Sequence, residues 1–230
     1  MKKLSDLVAD FLISKKISHV FGVTGGGAMH LNDSIGKNKK INFILHHHEQ
    51  AATMAAESYS RVKKKIGVAH VTTGPGGTNA ITGLVGAWID SIPMLIISGQ
   101  VAKKDMINKT KTRQIGVQEI NIVDLVKPVT KYAKTITNPK NIIFELSKAY
   151  ELAISGRPGP VWIDIPLDIQ SCRINISKLN KIPKTKNKFK KIKNSNFDFI
   201  AKMINNKKFP IFLLGNGIHL SKAEKNIELL

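Results

Sequence analysis

Short apolar runs alternate with segments of helical periodicity along the first 170 residues, and this alternation is the feature that most restricts the fold. The runs are apolar at successive positions, which is typical of strands that are buried on both faces. Five such strands are predicted, at 19–23, 41–45, 66–73, 93–100 and 159–166. Helices are predicted between them at 4–15, up to about residue 35, at 49–63, 78–90 and 139–154, and the stretch at 120–136 adds a short helix and a strand. The pattern predicts the α/β class, with a parallel sheet that has helices on both faces.

The alternation ends near residue 170. Residues 171–195 are rich in lysine and asparagine and predict a linker that follows a first domain of residues 1–170. Residues 196–230 predict a helix, a buried strand at 209–218 and a second helix, with Ser221 as its N-cap and Glu224 in a capping box. One strand and two helices cannot enclose a core. We therefore expect the last segment to be the incomplete start of a second α/β domain.

The charge of the chain leaves a nucleic-acid partner open as an alternative. The chain of 230 residues carries 36 Lys and Arg against 16 Asp and Glu, a net charge of +20, and much of the excess lies at 178–194. This run contains only one aromatic residue, Phe189, and no nucleic-acid motif accompanies it. We therefore favour a solvated linker over nucleic-acid binding.

Two further features bear on where the protein is expected to work. The single cysteine, Cys172, excludes an internal disulfide framework and fits a reducing compartment. Apolar runs stay well below the ~18 residues that a membrane-spanning helix needs, so no membrane span is predicted. We expect a cytoplasmic protein.

Glycines and small polar residues follow the predicted strands, in the stretches "TGGG", "HHHE", "TTGPGG" and "SGQ". In parallel α/β folds, ligands bind beyond the carboxyl ends of the strands, where glycine lets a flat ligand approach the backbone. His46, His47 and His48 do not predict a metal site, because consecutive side chains on a strand point to opposite faces and no HExxH pattern is present. Glu49 is the better candidate, although the helix dipole alone would favour a carboxylate there by ~0.3–1 kcal/mol.

Four stretches together resemble the N-terminal pyrimidine-binding domain of thiamine diphosphate enzymes, in particular the acetolactate synthase-like group. They are "VFGVTGGGAMHLND", "HHHEQAATMAAESYSR", "VTTGPGGTNAITGLVGAWIDSIPMLIISGQV" and "GRPGPVWIDIP", and they occur in the family's order over about residues 1–170. The resemblance implies that Glu49 hydrogen-bonds N1′ of the cofactor's aminopyrimidine. That contact favours the imino tautomer, whose 4′-nitrogen removes the proton from the thiazolium C2.

The same resemblance implies roles for further residues. In the cofactor-binding loops these are Thr24, Gly25, Gly26, Thr72, Pro75 and Asn79. Gln118 matches a glutamine that points at the reacting centre in acetolactate synthases, with Val117 in place of the usual phenylalanine. Lys131 matches a lysine near the substrate entrance. Tight turns for the glycines, a helix cap for Asn79 and a surface position for Lys131 are the structural alternatives.

Cofactors and partners follow from the resemblance as well. It implies a 2-oxo acid substrate such as pyruvate. It also implies three cofactors: thiamine diphosphate, bound here by its pyrimidine half, Mg²⁺ held by another domain, and FAD, as in many acetolactate synthases. The complete protein would form a homodimer or homotetramer through an apolar face that includes Met54 and Trp88. The Gly-Asp-Gly motif of the magnesium-binding domain is not found, since "GNG" has Asn216 at the aspartate position. We therefore expect the chain to be the N-terminal part of a carboligase or decarboxylase, with no metal ligands of its own, and to be inactive alone. A pyrimidine-domain subunit of a two-chain 2-oxo acid decarboxylase is the alternative.

Overall fold

The computed structural model of the protein describes residues 1–107, 112–180, 194–227 and 229. The chain divides into two compact units, Met1–Thr185 and Lys186–Leu230. Within the described residues, no helix is both long and apolar enough to cross a membrane.

The first unit alternates helices and strands as the sequence predicts. Its strands are β1 Lys2–Lys3, β2 His19–Gly22, β3 Asn42–Leu45, β4 Gly67–Val71, β5 Met94–Gln100, β6 Tyr132–Thr135, β7 Pro160–Pro166 and β8 Arg173–Ile174. Its α-helices are α1 Leu4–Ser14, α2 Met29–Gly36, α3 Glu49–Lys63, α4 Pro75–Asn79, α5 Ile81–Ile89, α6 Ile122–Val126, α7 Ile142–Ile154 and α8 Leu167–Ser171.

Six strands form one parallel sheet in the order β3-β2-β4-β5-β7-β6. The register pairs Phe21 with Ile44 and Ala69, so β2 lies between β3 and β4. β5 lies in the middle of the sheet, and it pairs with β4 on one side and along its full length with β7 on the other. The predicted α/β class with a parallel sheet is confirmed.

Helices cover both faces of this sheet. On one face α1, α2, α7 and α8 pack together, and on the other α3 packs against α5. Successive residues of β5 feed two separate hydrophobic clusters: Leu95 and Ile97 belong to one, Met94 and Ile96 to the other. The unbroken apolar runs in the sequence are therefore explained by strands that are buried on both faces.

The first unit extends past residue 170. β8 pairs antiparallel with β1, at the start of the chain, and a 3₁₀ turn follows at Ile176–Lys178. Residues 171–180, which the sequence assigns to the linker, thus include ordered elements. The rest of that predicted linker up to residue 193, and nearly all of the lysine run at 178–194, lie outside the described residues.

The second unit contains helices α9 Asn194–Asn205, α10 Gly217–Ser221 and α11 Glu224–Ile227. The predicted buried strand at 209–218 is wrong for the described residues: most of this stretch has no regular structure, and Leu213 is 99% exposed. A strand needs a neighbour for its backbone hydrogen bonds, and the described part of this unit offers no second strand. Ser221 ends α10 and does not cap the last helix, which begins at Glu224.

Candidate functional site at the carboxyl edge of the sheet

The chain changes direction within the sheet at β2. From β2 it passes to β3 at the edge, and then returns to place β4 on the other side of β2. The loops that leave β2 and β4 therefore lie side by side at the carboxyl edge. Such a switch point opens a crevice, which is the usual ligand site of open α/β sheets.

Glu49 opens α3 at this edge. His48 caps the helix, since its Nδ1 accepts a hydrogen bond from the Gln50 N–H at 3.1 Å. The Glu49 side chain is buried, and Asn79 at the end of α4 donates from Nδ2 to its Oε2 at 3.0 Å. A buried carboxylate is thus held at a helix N-terminus, where the backbone dipole favours negative charge.

The loops after β2 and β4 meet at Thr72. A Cβ on Gly25 would lie 2.5 Å from the Thr72 Cβ, and a Cβ on Gly76 would lie 2.6 Å from Thr72 Cγ2 and 3.2 Å from Glu49 Oε1. Only glycine allows these approaches. Within the described residues, the Thr72 hydroxyl is buried and has no hydrogen-bond partner. Glu49 and the loops that follow β2 and β4 are thereby brought together.

Gln118 joins this cluster through the turn after β4. Its φ is +59°, and its carbonyl oxygen would lie 2.1 Å from a Cβ placed on Gly74. The side chains of Gln118 and of Val117 before it are exposed. The segment that carries Gln118 is therefore packed backbone to backbone against the "GPGG" turn.

The other predicted cofactor-binding residues lie in the same loops. Thr24 follows β2 and is exposed, and Gly26 has open space where a Cβ would lie. Pro75 is exposed and takes the first position of α4, where its missing N–H costs nothing.

Lys131 lies apart from this group, and the structure does not bring it to the carboxyl edge. It comes directly before β6, and its N–H donates to the carbonyl of Pro160, the first residue of β7. It therefore lies at the amino edge of the parallel sheet, opposite Glu49. Its Nζ donates to the Ser155 carbonyl at 2.6 Å, and burial lowers the pKa of its ammonium group.

Two side chains whose role the sequence does not predict, the half-buried Asn32 and the buried Gln170, support the loop after β2. Asn32 of α2 donates from Nδ2 to the Gly25 carbonyl at 3.0 Å, and its Oδ1 lies 2.8 Å from Nε2 of the fully buried His70. Gln170 of α8 donates to the Gly27 carbonyl at 2.8 Å. Polar residues inside apolar strands and helices were the available signal, but their partners depend on the tertiary fold.

Another buried polar group lies between β5, β6 and β7. Asp164 is 1% exposed and accepts hydrogen bonds from Ser98 at 2.6 Å, Thr135 at 3.0 Å and Gln100 at 3.4 Å. Burial raises the pKa of Asp164 to about 7, while the three hydrogen bonds lower it.

We expect Asp164 to make the free energy of unfolding fall as the pH rises from about 4 to about 7. The unfolded chain releases this proton near the ordinary pKa of 3.8, whereas the folded protein holds it up to about 7. Within that window each pH unit costs the folded state up to about 1.4 kcal/mol. The variant Asp164→Asn lacks this titration. Its free energy of unfolding should therefore rise relative to that of the wild type between about pH 4 and pH 7, and the difference between the two proteins should stay constant above about pH 7. Urea unfolding at several pH values measures this, and parallel curves for the two proteins would contradict it.

The described residues contain no cluster of three or more His, Cys, Asp or Glu side chains that could hold a metal ion. Of the three consecutive histidines, His48 caps α3 and His46 lies against the Phe21 ring, with 6.0 Å between ring centroids. Glu49, the residue after them, is the one that reaches the cluster around Thr72.

Comparisons with known proteins show the family of the chain. The family described as "Thiamine pyrophosphate enzyme, N-terminal TPP binding domain" matches residues 2–124. The acetolactate synthase large subunit of Lactococcus lactis subsp. lactis is 37% identical over 220 residues, which cover 94% of this chain and 37% of that protein. The acetolactate synthase large subunit of Buchnera aphidicola subsp. Acyrthosiphon pisum is 42% identical over 165 residues, 72% of this chain and 28% of that protein.

A solved structure shows the same fold. Benzoylformate decarboxylase from Polynucleobacter necessarius superposes with a TM-score of 0.84 at 22% identity, over 99% of this chain and 41% of that one. The chain spans about a third of the length of the curated relatives it matches.

Proposed function

Because this chain belongs to the thiamine pyrophosphate enzymes, we propose that its carboxyl-edge site binds the aminopyrimidine ring of that cofactor, also called thiamine diphosphate. The complete protein would be an acetolactate synthase-like carboligase or decarboxylase that acts on 2-oxo acids. The observation that carries the proposal is the buried carboxylate of Glu49, held by Asn79 at the switch point of the sheet.

The residues at this edge fit a flat heterocycle with polar ring atoms. Gly25 and Gly76 leave out the side chains that would fill the space around Thr72 and Glu49. The Thr72 hydroxyl is buried without a partner in the described part of the chain, and a buried hydroxyl in that state costs about 1–3 kcal/mol unless something bonds to it. A ligand with hydrogen-bonding ring atoms would remove that cost.

Glu49 supplies the proton control at this site. Asn79 occupies its Oε2, so Oε1, on the Gly76 side, is the oxygen available to the ring nitrogen N1′. A carboxylate that shares a proton with a ring nitrogen makes a strong, charge-assisted hydrogen bond in a buried site. The bound cofactor supplies the thiazolium carbon that adds to a carbonyl and acts as an electron sink. Gln118, on the segment packed against Gly74, would face the reacting centre.

The remaining parts of the proposal concern the complete protein. We propose pyruvate or a similar 2-oxo acid as substrate, Mg²⁺ bound through another domain, and FAD as a further cofactor. The resemblance to acetolactate synthases supports a homodimer or homotetramer. Met54 on α3 and Trp88 on α5, two helices that pack together, are 43% and 39% exposed and would lie in its apolar interface. The lone Cys172 supports a cytoplasmic location.

Thr72→Val tests the site with a change that removes one hydroxyl. Because this hydroxyl has no partner among the described residues, the free energy of unfolding should rise by about 1–3 kcal/mol, while the affinity for thiamine diphosphate with Mg²⁺ should fall several-fold. Thr130→Val is the matched control at the opposite edge: its hydroxyl bonds the Val126 carbonyl at 3.0 Å, so stability should fall and affinity should hold. Calorimetric titration of the complete protein measures the affinity. No binding to the wild type would refute the proposed function.

A further inference from the structure

Gln100, the last residue of β5, is only 2% exposed, and its side-chain amide makes all of its hydrogen bonds inside the protein. Its Oε1 accepts from Thr73 Oγ1 at 2.7 Å and from the Val101 N–H at 3.0 Å. Its Nε2 donates to the Ile120 carbonyl at 3.0 Å and to Asp164 Oδ2 at 3.4 Å. Two donors and two acceptor positions are the full capacity of an amide.

The bonds of the Gln100 amide to Thr73 and to Ile120 form a tie between the two segments that carry most of the candidate site. Thr73 lies in the turn of residues 72–77, between Thr72 and Gly74. Ile120 closes the segment of residues 114–120, which carries Gln118. The two segments are in close backbone contact where the Gln118 carbonyl meets Gly74.

Without the amide, one end of this tie would be left unpaired and the other would be weakened. The Thr73 hydroxyl donates to Gln100 and Thr73 is buried, so an apolar side chain at 100 would strand it. The Ile120 carbonyl would lose one of its two donors and keep the Ile122 N–H, which lies 2.9 Å away. An unsatisfied buried hydroxyl is destabilising, and the chain can avoid that cost only by moving the turn that carries Thr73 towards water.

We propose that Gln100 is a positioning residue that fixes the turn at 72–77 and the segment at 114–120 relative to each other. It acts through Thr73 on one segment and through the Ile120 carbonyl on the other. Its consequence for catalysis, the placement of Gln118 next to Thr72 and Glu49, rests on the proposed function. The tie itself does not.

Two variants separate the ends of the tie. Gln100→Met removes both, whereas Gln100→Glu keeps acceptors for Thr73 and Val101 and, when ionised, loses the donor for Ile120 and adds charge beside Asp164. Amide hydrogen exchange has reporters in both segments: the Thr78 N–H bonds the Gly74 carbonyl at 3.0 Å, and the Glu119 N–H bonds the Gly116 carbonyl at 3.2 Å.

We expect Gln100→Met to speed exchange about tenfold or more at both reporters, as the loss of one buried hydrogen bond to each segment implies. Gln100→Glu at mildly alkaline pH should speed exchange at Glu119 and leave Thr78 near the wild-type rate. Gln170→Met is the matched control. Gln170 is also a buried glutamine, but its amide donates to the Gly27 carbonyl. Its variant should therefore speed exchange in the loop after β2 and leave both reporters at the wild-type rate. Thr73→Val, which removes only one end, should speed Thr78 alone and replaces Gln100→Met if that variant does not fold.

The exchange is measured on the complete protein without cofactor, so it tests the tie independently of thiamine diphosphate binding. Uniform acceleration across β5 and β7, or unchanged exchange at both reporters, would overturn the proposal. With cofactor and substrate, Gln100→Glu should lower kcat several-fold and change the thiamine diphosphate affinity less, because the Thr72 side of the site keeps its tie.

Discussion

Glu49→Gln is expected to lower the turnover of the complete enzyme by about 10²- to 10⁴-fold, the range that a positioned acid or base contributes. Glutamine keeps the shape of the side chain and an oxygen for the Asn79 amide, so the geometry around Thr72 should hold. What it loses is the ability to share a proton with a ring nitrogen. Steady-state kinetics with saturating thiamine diphosphate measure the effect.

The fold should survive this change. Loss of the carboxylate at the first turn of α3 removes a dipole interaction worth about 0.3–1 kcal/mol, which unfolding measurements can register. Glu57→Gln is the control on the same helix: Glu57 pairs with Arg61 away from the sheet edge, so its variant should keep wild-type turnover. Near wild-type turnover for Glu49→Gln would refute the role of Glu49.

The sequence was sufficient to predict the parallel sheet of the first unit and its covering helices because their signals are local or periodic. α3 runs over Glu49–Lys63 as predicted, and the apolar runs mark strands that are buried on both faces. The family model that matches residues 2–124 confirms the resemblance to thiamine diphosphate enzymes. The carboxyl ends of parallel strands meet at one edge, so the order of strands and polar residues along the chain was enough to group these residues into one site.

Features that depend on distant partners could not be predicted in this way. The pairing of β1 with β8 joins residues about 170 positions apart and involves two residues from each strand. Lys131 shares a motif position with a substrate-entrance lysine, but the parallel direction of β6 puts it at the opposite edge. The apolar stretch at 209–218 has the composition of a strand, yet a strand forms only where another chain segment pairs with it.

The hydrogen bonds that hold the loops of the site in place could not be predicted from the sequence either. Gln100 ends an apolar strand, and nothing in the sequence tells whether its amide faces solvent or bonds Thr73 and Ile120. Asn32, on helix α2, donates to the Gly25 carbonyl, and the sequence likewise does not predict that bond. Residue types at strand ends could predict the groups that face a ligand, whereas the groups that hold those loops in place follow from three-dimensional packing.

Gly74→Ala is expected to disrupt the site from the backbone. Gly74 has φ +61° and ψ −124°, a conformation that side chains rarely adopt and that costs about 1–3 kcal/mol. The added Cβ would also lie 2.1 Å from the Gln118 carbonyl oxygen, and because that atom belongs to the backbone, only a shift of a whole segment relieves the clash. We expect a loss of unfolding free energy beyond the conformational cost, together with weaker binding of thiamine diphosphate.

Gly156→Ala separates the two causes. Gly156 has φ +58°, but a Cβ there would meet no atom of the described residues within 4 Å. Its variant should therefore lose only the conformational contribution and keep the cofactor affinity. Urea unfolding and calorimetric titration of both variants give the comparison. The excess loss in Gly74→Ala measures the contact between the "GPGG" turn and the segment that carries Gln118. Equal losses in the two variants, with cofactor affinity intact in both, would mean that the two segments move apart at little cost and that their close packing does not hold the site.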